Sequence, residues 1–177
     1  MRRINYAAVR CADVTGVAIA KAYRAAPIVD RESLPAYKVL REETWRQFEQ
    51  LSKHIEVEVT SEDPYRHVAE LLAELREGRM RVWSTAAGDN PHPVLSNDDN
   101  DAFRAVHDGF GHGATERGFD KHGEEAAWVK HSQMYSQLAR QAMTTETRGQ
   151  TCMFWYGNGG EFFSVQKAVV LPCGYWA

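Results

Sequence analysis

The residues best suited to chemistry gather between Phe103 and Gln150. Four of the chain's seven histidines, His107, His112, His122 and His131, fall there, interleaved with Asp108, Glu124, Glu125 and Glu146. Neutral imidazole and carboxylate together suit iron, zinc or manganese. Two histidines and one carboxylate on one side of an ion leave other positions open, the arrangement of non-haem Fe(II) centres that activate dioxygen. None of the three cysteines (Cys11, Cys152, Cys173) lies in this stretch, which argues against a thiolate-held structural zinc. The chain has no Walker loop, no G-x-S-x-G and no H-E-x-x-H.

The segment Phe103-Arg104-Ala105-Val106-His107-Asp108-Gly109-Phe110-Gly111-His112 reads as the end of one helix, over about 101–112, and 121–146 as one long helix. On ideal helices Asp108 and His112 are neighbours one turn apart, whereas His107 and His112 diverge by about 140°. Gly109 and Gly111 make that turn adaptable. On the long helix Glu124 and His131 are about 20° apart, with Trp128 and Tyr135 on the same side and Glu146 about 40° from Glu124. The stripe is too long to converge on one ion. A downstream glutamate from it can join the His107/His112 pair as a further ligand, and Asp108, Glu124 and His131 are candidates to orient ligands, move protons or join a second metal. His54, His67, His92 and His122 have no evident partners and are expected in solvent.

These residues need a scaffold. Residues 13–26 and 33–54 read as helices, the second with Ser33 as cap and Pro35 in its first turn. Ile55-Glu56-Val57-Glu58-Val59 alternates as a strand, Asp63-Pro64 opens a helix that Gly78 ends, and 80–85 is a second strand. The Gly-, Asn-, Asp- and Pro-rich stretch 86–99 is a long loop directly before the metal-bearing helix, so it belongs at the pocket rim. Short strands or an apolar strap follow in the tail. The expected architecture is α+β: a mostly helical single domain over 1–177 with a small β-sheet and its metal-site core in 80–171.

With 177 residues and a net charge of −3, the chain is long enough for a real core and carries no global basic field for nucleic acid. No apolar run approaches a membrane span. The basic start Met1-Arg2-Arg3 leads into a stretch broken by Asp13, Lys21 and Arg24, a poor signal peptide. A reduced cytoplasmic protein is the expectation, in the host cell cytoplasm if phage-encoded. Its oligomeric state is open.

The run from Phe103-Arg104-Ala105-Val106-His107-Asp108 through Thr145-Glu146-Thr147-Arg148-Gly149-Gln150 resembles an uncharacterised segment of phage and phage-like polyvalent proteins, which carries no assigned activity. His107-Asp108-Gly109-Phe110-Gly111-His112 is also similar to the iron-binding His-Glu-x-x-Gly-His of pterin-dependent aromatic amino acid hydroxylases, with Asp for Glu. That resemblance implies His107, His112 and Glu146 on Fe(II), with a pterin as co-substrate. The family's substrate-carboxylate arginine has no counterpart near Gly88-Asp89-Asn90, so the metal site is implied rather than the amino acid substrate.

The expected activity is a non-haem Fe(II) oxygenase or hydroxylase acting on a small or nucleotide-linked substrate. Arg148 would bind an anionic group, beside Trp128 and Tyr135. Phe154, Trp155 and Tyr156 are either further stacking surfaces or core. Two other readings use the same residues: a metal-dependent hydrolase holding Zn or Mn, and a non-catalytic phage accessory protein whose His/Glu cluster only ties helices together.

Overall fold

The computed structural model describes residues 4–177, and the basic start Met1–Arg3 lies outside them. The fold is α+β, helical for most of its length, with a two-stranded sheet. Helices α1 (Asp13–Ala25) and α2 (Leu34–Leu51) come first. Strands β1 (Glu56–Thr60) and β2 (Arg79–Trp83) pair in parallel, Val57 opposite Met80 and Val59 opposite Val82, joined by the crossover helix α3 (Val68–Arg76). Among the described residues, no helix is long and apolar enough to cross a membrane.

The early elements follow local chemistry. Pro35 sits in the first turn of α2, where its missing N–H costs nothing. Gly78 leaves α3 with φ 78°, a left-handed conformation that glycine adopts without strain. Helix α3 starts at Val68 rather than Pro64. Glu70 Oε2 reaches back there to accept from the N–H groups of Arg66 and His67, while Asp63 accepts only from Tyr65 N–H in the turn before.

Helix α4 (Asn97–His107) begins earlier than its composition suggests. Ser96 Oγ accepts from the Asp99 N–H at 3.1 Å, and Asp99 Oδ2 accepts from the Ser96 N–H at 3.1 Å. The helix then widens into a π-helical turn, Asp108–His112, and closes through α5 (Gly113–Thr115).

The expected long helix over 121–146 is two helices. Chain 133–136 breaks it into α6 (Lys121–Ser132) and α7 (Gln137–Thr144), and Ser136 caps α7 by accepting from Ala139 N–H. Helix α7 continues through a π turn (Thr145–Gly149), α8 (Gln150–Cys152) and a second π turn (Met153–Gly157). The tail is therefore helical to Gly157. Its expected strands reduce to one bridge between Val29 and Ala168.

Three apolar clusters hold these elements. Tyr37, Leu40, Phe103, Tyr135 and Met143 join α2, α4 and α7. Leu51, Leu71, Met80, Val82 and Val106 seat the sheet and α3 against α4. Ile19, Tyr23, Cys152 and Met153 dock α1 on α8. Each fully buried aliphatic side chain contributes on the order of 1.5–3 kcal/mol. The first two clusters both take side chains of α4, Phe103 in one and Ala105 and Val106 in the other, which fixes the helix that presents His107.

Candidate metal centre

The π turn resolves the geometry of the histidine pair. In an α-helix residues five apart point away from each other, but a π turn bonds i to i+5 and brings them onto one side. Gly113 N–H donates to Asp108 O across this turn. His107 and His112 consequently stand with ring centroids 5.1 Å apart and planes at 88°. A Cβ on Gly111 would lie 3.1 Å from Ala127 Cβ and 3.4 Å from His107 Nδ1, so glycine lets the turn press against α6.

Glu124, in the first turn of α6, completes the group. Its Oε1 is 3.3 Å from His112 Nε2 and its Oε2 is 3.5 Å from His107 Nε2. One ligand atom from each of His107, His112 and Glu124 lies within 4.8 Å of the others, close enough to hold one ion. Asp120 caps α6 by accepting from His122 N–H and Gly123 N–H, which sets where Glu124 emerges.

Hydrogen bonds behind the rings decide which nitrogens face the centre. His112 Nδ1 is 2.9 Å from the Arg117 carbonyl, so Nδ1 carries a proton and donates it. Gln47 Nε2 donates to Met134 O at 3.3 Å, which orients its amide oxygen toward His131. His131 Nε2–H donates to Gln47 Oε1 at 3.0 Å, leaving His131 Nδ1 as an acceptor 3.3 Å from His107 Nδ1. His107 Nδ1–H therefore donates to His131, and the lone pair of His107 is on Nε2. That atom is buried and is the single buried side-chain N or O without a hydrogen-bonding partner among the described residues. A buried unsatisfied nitrogen aimed at a carboxylate and a second imidazole fits a divalent cation.

Charge follows the same logic. Burial works against a proton on His112, but Glu124, and Asp108 with it, more than offset this and raise the imidazole to about 9. Burial also opposes ionisation of Glu124, yet the two histidines hold it well below the usual carboxylate range. Burial, reinforced by the neighbouring histidines, keeps His131 neutral, as its acceptor role requires.

Glu146, expected as the third ligand, is not in this group. Its Oε1 accepts from Tyr37 OH at 2.6 Å and lies 3.2 Å from His92 Nε2, and its Oε2 accepts from Gln150 Nε2 at 2.7 Å. The break at 133–136 is the reason: Glu146 is no longer on the α6 stripe that carries Glu124. His92 is buried rather than solvated. Its Nδ1 accepts from the N–H groups of Val94 and Leu95, so its Nε2 carries the proton given to Glu146. His67 is exposed, as expected, with its backbone N–H donating to Glu70 Oε2, whereas His122 Nδ1 accepts from Cys11 N–H.

A cavity of about 1000 Å³ opens beside the group, lined by His107 and Glu124 from it, by Asp108 and Glu146 outside it, and by Gly88, Asp89 and Asn90 from the loop, which does form its rim. Asp108 lines it without a hydrogen-bonding partner for its carboxylate among the described residues; burial pushes this carboxyl up. Arg148 is elsewhere. Its Nε and Nη2 donate to Glu125 at 2.8 and 2.6 Å, its Nη1 donates to Tyr175 O, and its guanidinium stacks 4.1 Å over Trp128. Trp128 Nε1 donates to Thr144 Oγ1, and Tyr135 OH pairs with Thr44 Oγ1. None of the three lines the cavity, because each is spent on packing between helices. Arg104, Trp83, Phe154, Trp155 and Phe163 line it instead.

No protein-family model, no curated protein and no solved structure matches this chain.

Proposed function

We propose that this chain is a metal-dependent enzyme that binds one divalent cation through His107, His112 and Glu124. Its metal is Fe(II), used with dioxygen to oxidise a small or nucleotide-linked substrate in the adjoining cavity. The observation that carries the reading is His107 Nε2, a buried lone pair without a partner, directed at Glu124 beside His112 Nε2. Two imidazoles and one carboxylate occupy one side of an ion and leave the others open, the ligand set suited to Fe(II) oxygenases. The iron would supply the redox chemistry. The protein orients His107 through His131 and Gln47, orients His112 through the Arg117 carbonyl, and encloses the substrate. The spacing that resembles the pterin-dependent hydroxylases is retained in the histidine pair, with Glu124 in place of Glu146.

A hydrolytic reading rests on a different observation. Asp108 adjoins a ligand, faces the cavity and has a free carboxylate, so it is placed to take a proton from water there. Loading the full chain anaerobically with Fe(II), then admitting dioxygen, separates the two. An oxygen-dependent optical change with iron at one equivalent supports the oxygenase. An iron form inert to dioxygen, beside a Zn(II) or Mn(II) form that cleaves ester or phosphoester probes, overturns it in favour of the hydrolase.

A further inference from the structure

Arg104 is the cavity's unusual cation. It stands one helical turn before His107 on α4, half-buried, with Nη1 donating to Trp83 O at 2.9 Å and its guanidinium 5.5 Å over the Trp83 ring. No carboxylate lies within ion-pairing distance of it among the described residues, and burial pulls its pKa down despite the more distant Asp101, Asp108, Asp63 and Glu146. Most of the nearby acids have other partners, while Asp108, whose carboxylate is free, stands outside ion-pairing distance and Asp63 accepts from Tyr65 N–H. Asp101 accepts from Thr85 N–H and Oγ1–H, Glu146 accepts from Tyr37 and Gln150, and Glu124 faces the histidines. A half-buried guanidinium with most of its fork unspent is a place for an incoming anion.

The cavity lining also carries an aromatic cluster. Phe154 and Phe163 stack at 4.5 Å and 21°, with Trp155 edge-on to Phe154 at 5.1 Å. Phe163 is 56 % exposed although it lines the cavity, and Phe162 and Val165 beside it are 59 % exposed. A planar ring would cover this surface. Amides line the same cavity. Gln166 is held by Asn90 O and accepts from Asn100 Nδ2 at 3.3 Å, and Gln150 Nε2 is fixed on Glu146, so these groups are pre-set to meet the polar edge of a ring.

We infer that the cavity takes a planar heteroaromatic ligand bearing one anionic group, a carboxylate or a phosphate, with the anion on Arg104 and the ring against the Phe154–Phe163 stack. This deepens the functional reading above and rests on it in placing the ligand's reacting part near the metal, but Arg104 and the aromatic wall bind without the ion.

The test is calorimetric titration of the metal-free full chain with uridine 5′-monophosphate, adenosine 5′-monophosphate, orotate, inorganic phosphate and uridine. The expected result is that at least one anionic ring ligand binds about tenfold or more tighter than uridine. Preference for the monophosphates or for orotate then assigns the anion. Arg104→Gln should remove that advantage, and Phe163→Ala, on an exposed side chain, should weaken ring ligands about fivefold while leaving inorganic phosphate unchanged. Arg104→Lys, which keeps the charge, should retain part of the binding if Arg104→Gln does not fold. Anions that bind no better than uridine, or an anion preference that survives Arg104→Gln, would overturn the inference. Metal content is measured on separate aliquots. Ligand binding in a chain that takes up no metal sinks only the metal reading, and metal uptake without ligand binding sinks only this one.

Discussion

His131 Nδ1 lies 3.3 Å from His107 Nδ1, and this contact between two imidazoles decides which nitrogen His107 turns to the cavity. Because Gln47 Oε1 takes the His131 Nε2 proton, His131 can only accept from His107. The tautomer of His107 on α4 is thus set by a glutamine on α2, through a histidine on α6. Buried partners of this kind hold a ligand's ring and raise its basicity.

His131→Ala should therefore lower metal affinity by about 10–100-fold, measured by competition with a chromogenic chelator. Gln47→Leu should act in the same direction and also destabilise the fold by about 1–3 kcal/mol, since it strands the buried His131 Nε2–H. Unchanged chelator competition in both variants would remove His131 from the ligand-orienting role.

The N-terminus of α4 carries the clearest acid-sensitive anchor. Asp99 Oδ1 accepts from Arg41 Nε at 2.8 Å and Trp45 Nε1 at 2.7 Å, while Oδ2 closes the cap with Ser96. Burial raises its pKa, but these donors outweigh burial and bring it from 3.8 to about 2. The folded value is the lower one. Its stabilisation, on the order of 2 kcal/mol, is therefore present above pH ~4 and lost as pH falls toward ~2. In urea unfolding followed across that window, Asp99→Asn should flatten the pH dependence and lower stability at neutral pH. An Asp99→Asn profile that runs parallel to wild type would show that other carboxylates govern acid unfolding.

Arg148 has a structural role here. Removing it by Arg148→Ala leaves the buried Glu125 without its two-pronged partner, at a cost of about 3–5 kcal/mol. Thermal unfolding should show a large drop in Tm, with metal stoichiometry unchanged in the fraction that folds. A variant of wild-type Tm that fails to bind the anionic ring ligands would return Arg148 to the substrate.

The fold class was legible in the sequence because its signals are local. Pro35, Gly78 and the alternation at 55–59 each act within a turn or two, and the helix and strand order follows from them. The histidine pair and His131 were legible too, from residue type and spacing. Which carboxylate stands beside the histidines was not. It depends on a helix break at 133–136 without proline or glycine, where Ser136 restarts the chain by capping, and on a π turn that realigns residues five apart. Neither leaves a strong mark in periodicity. Gln47, Tyr37 and His92 come from far along the chain, and their contacts exist only once α2 and the loop pack on α4 and α7. Arg104 was visible beside His107, whereas Arg148 carried the same charge and a nearer glutamate; only packing separates an arginine locked on Glu125 from one facing a cavity.

The central claim is the identity of the third ligand, and metal titration of Glu124→Gln beside Glu146→Gln tests it most directly. Full chains are loaded with Fe(II) under anaerobic conditions, or with Zn(II) in air, and bound metal is counted after desalting. One equivalent should remain on wild type and on Glu146→Gln, whose carboxylate serves Tyr37, His92 and Gln150. Glu124→Gln should lose affinity by about 100-fold or more, as His107→Ala and His112→Ala should. Retention of metal by Glu124→Gln together with its loss from Glu146→Gln would contradict the account, as would a wild-type chain that holds neither ion.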